Sequence, residues 1–359
     1  MRSRLFLDVH AVQTVPPANI NRDDTGSPKT AQYGGATRAR VSSQSWKRAM
    51  RKYFNDEGDV GNVGIRSLEI VRYIAEKITK MDESISMETA MELAEKTLNA
   101  AKISTKDKKT KALFFISDKQ AEKLAKFAIE KVDDKKELQQ VLKDEQSIDI
   151  ALFGRMLADD PSLNEDASSQ VAHAISTHAI ESEFDFFTAV DDLAPEDNQG
   201  AGMLGTIEYN SSTLYRYANI ALHEFVKQLG DKESTVNAAK LFVEAFINSM
   251  PTGKINSFAN QTLPQAVVVT LRKDRPVNMV SAFEKPIKSN DGYVEKSVKR
   301  LFEEYPKYDG MLEEPLFTAY YTFGDYGVQE IGKNENSTKE LIKELGEEIN
   351  QYLDKIELE

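Results

Sequence analysis

A long stretch of helical character divides this chain and constrains its fold more than any other feature. From about residue 65 to about residue 150, apolar side chains recur three and four positions apart, with Lys and Glu between them. This pattern is typical of amphipathic helices. The clearest segments are 66–80, 87–101 and 118–131, joined by connections near 106–111 and 133–136. We therefore expect a helical insert, mostly a solvated bundle.

The segments on either side of this stretch have strand character. Leu5, Leu7, Val9 and Ala11 alternate with other residues, which predicts a strand over residues 4–12. Further strands are predicted at 207–220, 265–271 and 316–323. Helices are predicted at 43–54, 234–250 and 337–356. Residues 13–41 are rich in Pro, Asn, Asp, Gly and Thr, so we interpret them as a long loop.

A long β-hairpin is predicted over residues 181–220. The segments FDFFTAV and TIEYNSSTLYRYANI are aromatic and β-branched, and the turn-rich DDLAPEDNQGAG lies between them. Such a pattern favours two strands with a flexible end. Together the elements predict one α+β sheet domain, from which the helical insert and the hairpin project.

The charge of the chain is unevenly distributed. The 46 Lys and Arg against 58 Asp and Glu give a formal net charge of −12, which taken whole argues against a nucleic-acid binder. Residues 1–54, however, hold ten basic and three acidic residues, so they carry +7 and the rest of the chain carries −19. This asymmetry indicates nucleic-acid contact, with charge neutralisation inside the fold as the alternative.

Two absences limit the class of protein. The chain has 0 Cys, which excludes disulfides, thiolate nucleophiles and cysteine-bound zinc. Its apolar runs are far shorter than the ~20 residues of a membrane span, and Asp8 and His10 interrupt the apolar start of the chain, unlike a secretory signal. We expect a soluble, cytoplasmic protein with no membrane partner.

The helix predicted after Ser42 and Ser43 has one apolar side and one basic side. With side chains ~100° apart around the axis, one face carries four long donors: Gln44, Lys47, Arg48 and Arg51. The free N–H groups at the helix start also favour anions. These donors suit a phosphodiester backbone. The alternative is an amphipathic helix with a solvated basic face, but the acidic partners usual at i±4 are absent.

The loop before this helix adds further donors: Asn21, Arg22, Lys29, Arg38 and Arg40. Its Gly34-Gly35 pair allows close backbone approach. The loop lacks the GxxxxGK[ST] pattern, so a nucleoside triphosphate site is not supported.

Several blocks, in this order, resemble one known family. They are NRDD (21–24), YGGATRARVSSQSWKRAMRKYF (33–54), DIALFGRM (149–156), AHAISTHAIESEFDFFTAVDDL (172–193), YRYANI (215–220), AFEKPI (282–287) and DGY (291–293). On these blocks the chain is similar to the backbone subunit of the CRISPR type I-E Cascade complex, the CasC family. The helical insert matches that family only in general pattern.

The resemblance implies an α+β fold shaped like a hand. The implied palm, a modified RNA-recognition-motif (ferredoxin-like) fold, comprises residues 1–57 and 217–359; a helical fingers insert comprises 58–180, and a β-hairpin thumb comprises 181–216. The aromatic sheet pattern of a simple RNA-recognition motif is absent from this sequence. Recognition is therefore expected through loops, helix and thumb. The thumb tip has extra residues compared with the family, which leaves its end contacts open.

The resemblance also implies a non-catalytic function. Such subunits polymerise along a CRISPR guide RNA, kink it at regular intervals with the thumb of a neighbouring copy, and present it for pairing with target DNA in antiviral defence. The implied partners are the guide RNA, target DNA through the guide, other copies of the chain and other Cascade subunits. No cofactor and no metal are expected.

By the same resemblance, individual residues acquire roles at the guide. The segment that grips the guide contributes Ser42, Gln44, Lys47, Arg48 and, more weakly, Arg51. Arg22 and Lys29 are implied phosphate contacts. Met156 and Phe187 match positions that wedge against bases beside the kink, and Thr188 lies next to that wedge. Packing in a core is the alternative for Met156 and Phe187.

Parts of the sequence are compatible with two other functions, an RNA nuclease and a protein scaffold. Asp23 and Asp24 could hold Mg²⁺, and related backbone subunits of type III CRISPR complexes use a loop aspartate to cut RNA; pairing with arginine is the alternative for these residues. His173 and His178 are five apart and do not share a helix face, so a zinc site is not expected. A helical scaffold that binds only protein would leave the basic segment unexplained.

Overall fold

A large mixed β-sheet forms the centre of the molecule. We describe the protein from a computed structural model, which covers residues 4–57, 63–144, 146–157, 160–190 and 200–355. The strands of these residues are β1 (Phe6–Ala18), β2 (Thr30–Tyr33), β3 (Ala36–Val41), β4 (Ile65–Ser67), β5 (Thr105–Lys106), β6 (Lys109–Thr110), β7 (Phe114–Ile116), β8 (Ser169–Val171), β9 (Ala174–Ser176), β10 (Glu183–Val190), β11 (Gly200–Ala221), β12 (Pro264–Arg272), β13 (Phe317–Thr322) and β14 (Lys333–Asn334).

Helices cover both faces of this sheet and build the insert. In the same described ranges they are α1 (Ser43–Glu57), α2 (Ile70–Met81), α3 (Met87–Ala100), α4 (Asp118–Glu130), α5 (Lys135–Lys143), α6 (Ile148–Phe153), α7 (Leu222–Leu229), α8 (Lys232–Asn248), α9 (Ile255–Phe258), α10 (Val294–Glu304) and α11 (Thr338–Leu353). None of these helices is long and apolar enough to cross a membrane. The α+β class predicted from the sequence is confirmed.

Strand β1 lies between β12 and β11 and organises the sheet. The order is β14-β13-β12-β1-β11-β9-β3-β2, with β10 and β8 also paired to β11. Strand β1 is antiparallel to both neighbours, with Phe6 opposite Ala221 on one side and Arg272 on the other. Because both faces of the sheet are covered, nearly every residue of β1 is buried, including polar Asp8 and His10.

The two faces of the sheet have separate cores. On one face, alternate β1 residues such as Leu7 and Val9 pack with α1, α7, α8 and α11. On the other face, Val12 packs with Tyr215 of β11 and with α10. Helices α1 and α10 therefore lie on opposite sides of the sheet, since successive strand residues point to opposite faces.

The prediction of a long loop over residues 13–41 is wrong. Strand β1 continues to Ala18, and its register with β11 shifts between Val15 and Ala18, where Pro16 and Pro17 lie. A bulge accommodates prolines because a bulged residue needs no ladder hydrogen bond. Residues Thr30–Val41 then form a hairpin, β2–β3, that joins the sheet edge.

Glycines make that hairpin possible. Gly34 and Gly35 both have positive φ, 58° and 72°, the backbone conformation that a two-residue hairpin turn requires. A Cβ on Gly34 would lie 1.5 Å from the carbonyl oxygen of Glu284. The close backbone approach expected of this glycine pair thus occurs within the protein.

The predicted helical insert is present and has its own apolar core. Helices α2, α3, α4 and α5 share a buried cluster that includes Ile74, Leu98 and Leu124. Helix α2 begins at Ile70 rather than near residue 66, because Ile65–Ser67 pairs with Phe114–Ile116 as a small sheet. The predicted connection at 106–111 contains a second short hairpin, β5–β6.

The hairpin predicted over 181–220 is also confirmed. Strands β10 and β11 pair from Glu183 opposite Tyr209 to Val190 opposite Gly200. Strand β11 has 22 residues and runs on from this hairpin into the centre of the sheet, so no break separates the two parts. The acidic tip of the hairpin, residues 191–199, lies outside the described residues.

Candidate nucleic-acid interface

A buried arginine fixes the orientation of α1. Trp46, Met50 and Phe54 are buried against the sheet and α8, as the helical pattern predicts. The guanidinium of Arg216 lies 3.6 Å from the ring centroid of Trp46 and donates to the carbonyl oxygen of Phe246 on α8 at 2.6 Å. Burial lowers the pKa of Arg216 to about 9. This contact joins β11, α1 and α8 and holds the other side of α1 outward.

Three of the donors on the outward side of α1 are unpaired. Within the described ranges, the side chains of Gln44, Lys47 and Arg48 make no hydrogen bond and no ion pair. Gln44 and Arg48 are exposed. The Nζ of Lys47 lies 5.7 Å from the ring centroid of Phe153, and partial burial lowers the pKa of Lys47. This α1 surface, Gln44, Lys47 and Arg48, is free to bind an anion.

Arg51 differs from the other donors because it is already occupied. Its Nε donates to Oδ2 of Asp149 at 2.9 Å, and its guanidinium lies 4.3 Å from the ring centroid of Phe115. Asp149 is fully buried and also accepts from Ser147 and Gly64. Arg51 thus joins α1 to the base of the helical insert.

The start of α1 and the NRDD loop are held together by one asparagine. Oδ1 of Asn21 accepts from the backbone N–H of Ser42 at 2.8 Å, and its backbone carbonyl accepts from the N–H of Lys29 at 2.9 Å. Ser42 is buried, and its hydroxyl oxygen accepts from the N–H of Ser45 at 3.3 Å, in the manner of a helix cap. Arg22 is exposed beside them.

Asp23 organises its own loop. Its Oδ1 accepts from the backbone N–H and the hydroxyl of Thr25 and from the N–H of Ser27, at 2.8–3.0 Å. The hydroxyl of Thr25 is the main reason that the pKa of Asp23 is lowered. An aspartate that bonds to the backbone two residues ahead is a common loop device. Asp24 is exposed.

A cleft of about 1050 Å³ opens between this loop, α1 and the end of α8. It brings together Arg22, Arg48 and Arg51, three of the residues singled out in the sequence, and adds Lys52, which sequence reasoning missed. Acidic residues line it as well: Asp23, Asp24, Asp56 and Glu57. Of the other predicted residues, Ser42, Gln44, Lys47 and Lys29 lie outside this lining.

Met156 is presented at the surface by a buried arginine. Its side chain is 86% exposed, so the alternative of core packing is wrong. The preceding Arg155 is buried and donates to the carbonyl oxygens of Leu163, Phe115 and Leu142 at 3.2, 3.4 and 2.7 Å. Burial lowers the pKa of Arg155 to about 10.

Phe187 lies on the hairpin opposite a glycine. It pairs with Gly205 across the strands, and a Cβ on Gly205 would lie 2.2 Å from its Cζ. The ring therefore covers Gly205 while its side chain stays 38% exposed. Thr188 is exposed next to it. Neither Phe187 nor Met156 lines the 1050 Å³ cleft beside α1.

Arg38, counted among the loop donors, is a structural residue. Its side chain is fully buried. It donates to the carbonyl oxygens of Ser176, Phe283 and Glu284 at 2.7, 2.9 and 3.1 Å. Arg40, two positions further along β3 and therefore on the same face, is half-buried, and its Nε donates to the carbonyl oxygen of Thr30 at 2.9 Å.

The histidines and acids form no metal centre in the residues that the structure describes. His178 is buried and stacks on Tyr293, with ring centroids 3.6 Å apart. His173 lies at the surface, where Nη1 of Arg40 approaches its Nδ1 to 3.1 Å.

A known family covers both the sheet and the helical insert of this chain. Residues 7–348 match the family described as CT1975-like protein. This chain belongs to that family. No match to this CT1975-like protein was found among curated proteins.

Two solved structures share its fold. A chain of a "CRISPR RNA-guided surveillance complex, pre-nicking" is 32% identical with a TM-score of 0.86, and the match covers 95% of this chain and 99% of that one. A chain of a "CRISPR RNA-guided surveillance complex" is 29% identical with a TM-score of 0.64, over 95% of this chain and 98% of that one. The CT1975-like chain is thus similar to these subunits over nearly its full length.

Proposed function

We propose that this CT1975-like protein is the guide-RNA-binding backbone subunit of a CRISPR surveillance complex, of the type I-E Cascade kind. The observation that carries the proposal is the nearly full-length similarity, 32% identity at a TM-score of 0.86, to a chain of such a complex. Its partners would be the guide RNA, other copies of itself, other Cascade subunits and target DNA through the guide.

The α1 surface supports this proposal physically. Gln44, Lys47 and Arg48 offer long unpaired donors that suit phosphate oxygens rather than base edges. Binding by the backbone leaves sequence recognition to base pairing between guide and target. Arg22 lines the same cleft as Arg48 and would contact the same RNA strand.

The hairpin and Met156 would shape the guide. Phe187 and Met156 are apolar side chains kept at the surface, where an unstacked base can pack on them; aromatic stacking contributes about 1–3 kcal/mol per base. We propose that residues 181–216 act as the thumb that kinks the guide on a neighbouring copy. Residues 58–180 would be the fingers, and 1–57 with 217–359 an RNA-recognition-motif-like palm.

We propose further that the subunit does not cut RNA. Asp23, one candidate for the type III-like alternative, already accepts three hydrogen bonds in its turn. Labelled RNA complementary to the guide should therefore stay intact with the assembled complex and Mg²⁺. Regular fragments that disappear in Asp24→Ala would establish the metal-assisted nuclease instead.

The α1 surface is tested by Lys47→Ala combined with Arg48→Ala. Each phosphate contact on a single strand contributes about 0.7 to the slope of log affinity against log salt, so we expect the slope for guide RNA to become shallower by about 1.4. The matched control is Lys80→Ala with Lys96→Ala, two exposed lysines of the insert. An unchanged slope in the α1 variant would refute the assignment.

A further inference from the structure

A second basic surface lies on the outer side of α10, and we call it the α10 cleft. It has a volume of about 500 Å³ and lies between α10 and the segment Lys285–Lys288. Apolar Pro286 and Ile287 contribute to its lining, together with six charged residues: Lys285, Lys288, Lys296, Lys299, Arg300 and Glu303. Five cations with one carboxylate make a positive cleft within the acidic part of the chain.

Of the five cations of the α10 cleft, Arg300 donates to the carbonyl oxygen of Ala282 at 3.4 Å, and the four lysines are free or held only by solvent-exposed contacts. Lys285 and Lys288 are exposed and form no ion pair within the part of the chain that the structure describes. Lys296 and Lys299 pair with Asp291 at 3.2 Å and Glu295 at 2.6 Å. These pairs are solvent-exposed, and such pairs contribute little and are screened by salt, so a phosphate can replace them.

Both walls of the α10 cleft are bonded to one residue, Thr177, which directly follows β9. The N–H of Ile287 donates to the carbonyl oxygen of Thr177 at 3.0 Å. The hydroxyls of Thr177 and Ser297, on α10, lie 2.8 Å apart. Buried Arg38 also holds the carbonyl oxygens of Phe283 and Glu284. The cations therefore project from a rigid frame, which reduces the entropy lost on binding.

The α10 cleft is separate from the α1 surface. Helix α10 packs on the face of the sheet that includes Val12 and Tyr215, and α1 packs on the opposite face. A segment of RNA bound at the α1 surface of one subunit would therefore lie on the other side of the sheet from the α10 cleft.

We propose that the α10 cleft binds the phosphodiester backbone of a single-stranded nucleic acid other than the segment held at α1. Cations on both walls suit the phosphates, and the half-buried ring of Pro286 offers an apolar surface to the sugars between them. An acidic protein surface is the other class of partner that five cations could attract, and the experiment below separates the two. The inference goes beyond the proposed function and does not depend on it.

The test measures binding of fluorescein-labelled oligo(dT) to the full-length protein. Any guide that is present is chosen so that it is not complementary to oligo(dT). Lys47→Ala and Arg48→Ala are present in every sample, so that the α1 surface contributes little. Adding Lys285→Ala and Lys288→Ala should weaken oligo(dT) binding roughly tenfold at low salt and make the salt slope shallower by about 1.4. The control pair Lys339→Ala and Lys343→Ala, exposed on α11, should leave both unchanged.

Three results would overturn the proposal. The first is oligo(dT) binding that the Lys285→Ala, Lys288→Ala pair does not alter. The second is unaltered oligo(dT) binding together with a lower sedimentation coefficient of the Lys285→Ala, Lys288→Ala protein. This result would assign the cleft to an acidic surface of a second copy. The third is displacement of oligo(dT) by inorganic pyrophosphate at equal phosphate concentration, which would indicate a site for small phosphates.

Discussion

At the scale of single residues, cations of one sequence segment have different roles. Arg48 is exposed and unpaired among the described residues, Arg51 is bonded to Asp149, and Arg38 is fully buried. A helical wheel places Arg48 and Arg51 on the same face, but it cannot reveal a partner 98 positions away. Sequence therefore identified the basic face, and only the tertiary fold separates its free donors from its structural one.

Arg51→Ala tests this separation. The substitution leaves Asp149 buried without its counter-charge, a change that costs about 3–5 kcal/mol where a buried pair is broken. Because Asp149 keeps its bonds to Ser147 and Gly64, we expect the lower end, about 3 kcal/mol. Urea unfolding measures it, with Arg48→Ala as the exposed control. Equal stability of the two variants would show that Arg51 is not structural.

At the scale of elements, local patterns identified the helices and the central strands. They did so because α1, α8 and α11 carry apolar residues at helical spacing and β12 is a buried apolar run. The prediction of a loop over residues 13–41 is wrong, since the Gly34-Gly35 pair forms a hairpin turn between β2 and β3. The pairing of β1 with β11, some 200 positions apart in sequence, has no local signal.

Gly205→Val tests the hairpin as an element that presents Phe187. A Cβ at this position overlaps the ring, so the ring must leave its place over residue 205. We expect the variant to reproduce the effect of Phe187→Ala on 2-aminopurine fluorescence in a bound guide, which reports base unstacking. Thr206→Val, the next residue on the opposite face, is the control and should behave as wild type.

The two substitutions also separate two failures. An unaltered signal in Phe187→Ala would contradict the role of Phe187 itself. An altered signal in Phe187→Ala with a normal signal in Gly205→Val would contradict only the role of Gly205.

At the scale of the whole molecule, the distribution of charge is more informative than its sum. The net charge of −12 argues against nucleic acid, whereas the +7 of residues 1–54 argues for it. Part of that +7 is internal, because Arg38 is buried and Arg51 is paired. The remainder of the chain is acidic overall, yet it contains the α10 cleft with its five cations.

Similarity to chains of CRISPR surveillance complexes was predictable from sequence because several multi-residue blocks occur in order, and the two solved structures confirm this coarser similarity. Site geometry was not accessible in the same way. The cleft beside α1 depends on a hydrogen bond from Ser42 to Asn21 and on the end of α8, which meet only in the folded chain.

The most direct test of the central proposal is the nucleic acid that accompanies the protein on purification. The absorbance ratio at ~260 and ~280 nm and a sizing gel measure it, since nucleic acid held by many phosphate contacts stays bound at low salt. Expressed with a CRISPR array, the protein should carry short RNA of uniform length, and the Lys47→Ala, Arg48→Ala variant should carry less. Protein free of RNA, or carrying RNA of random length equally in both forms, would contradict the proposal.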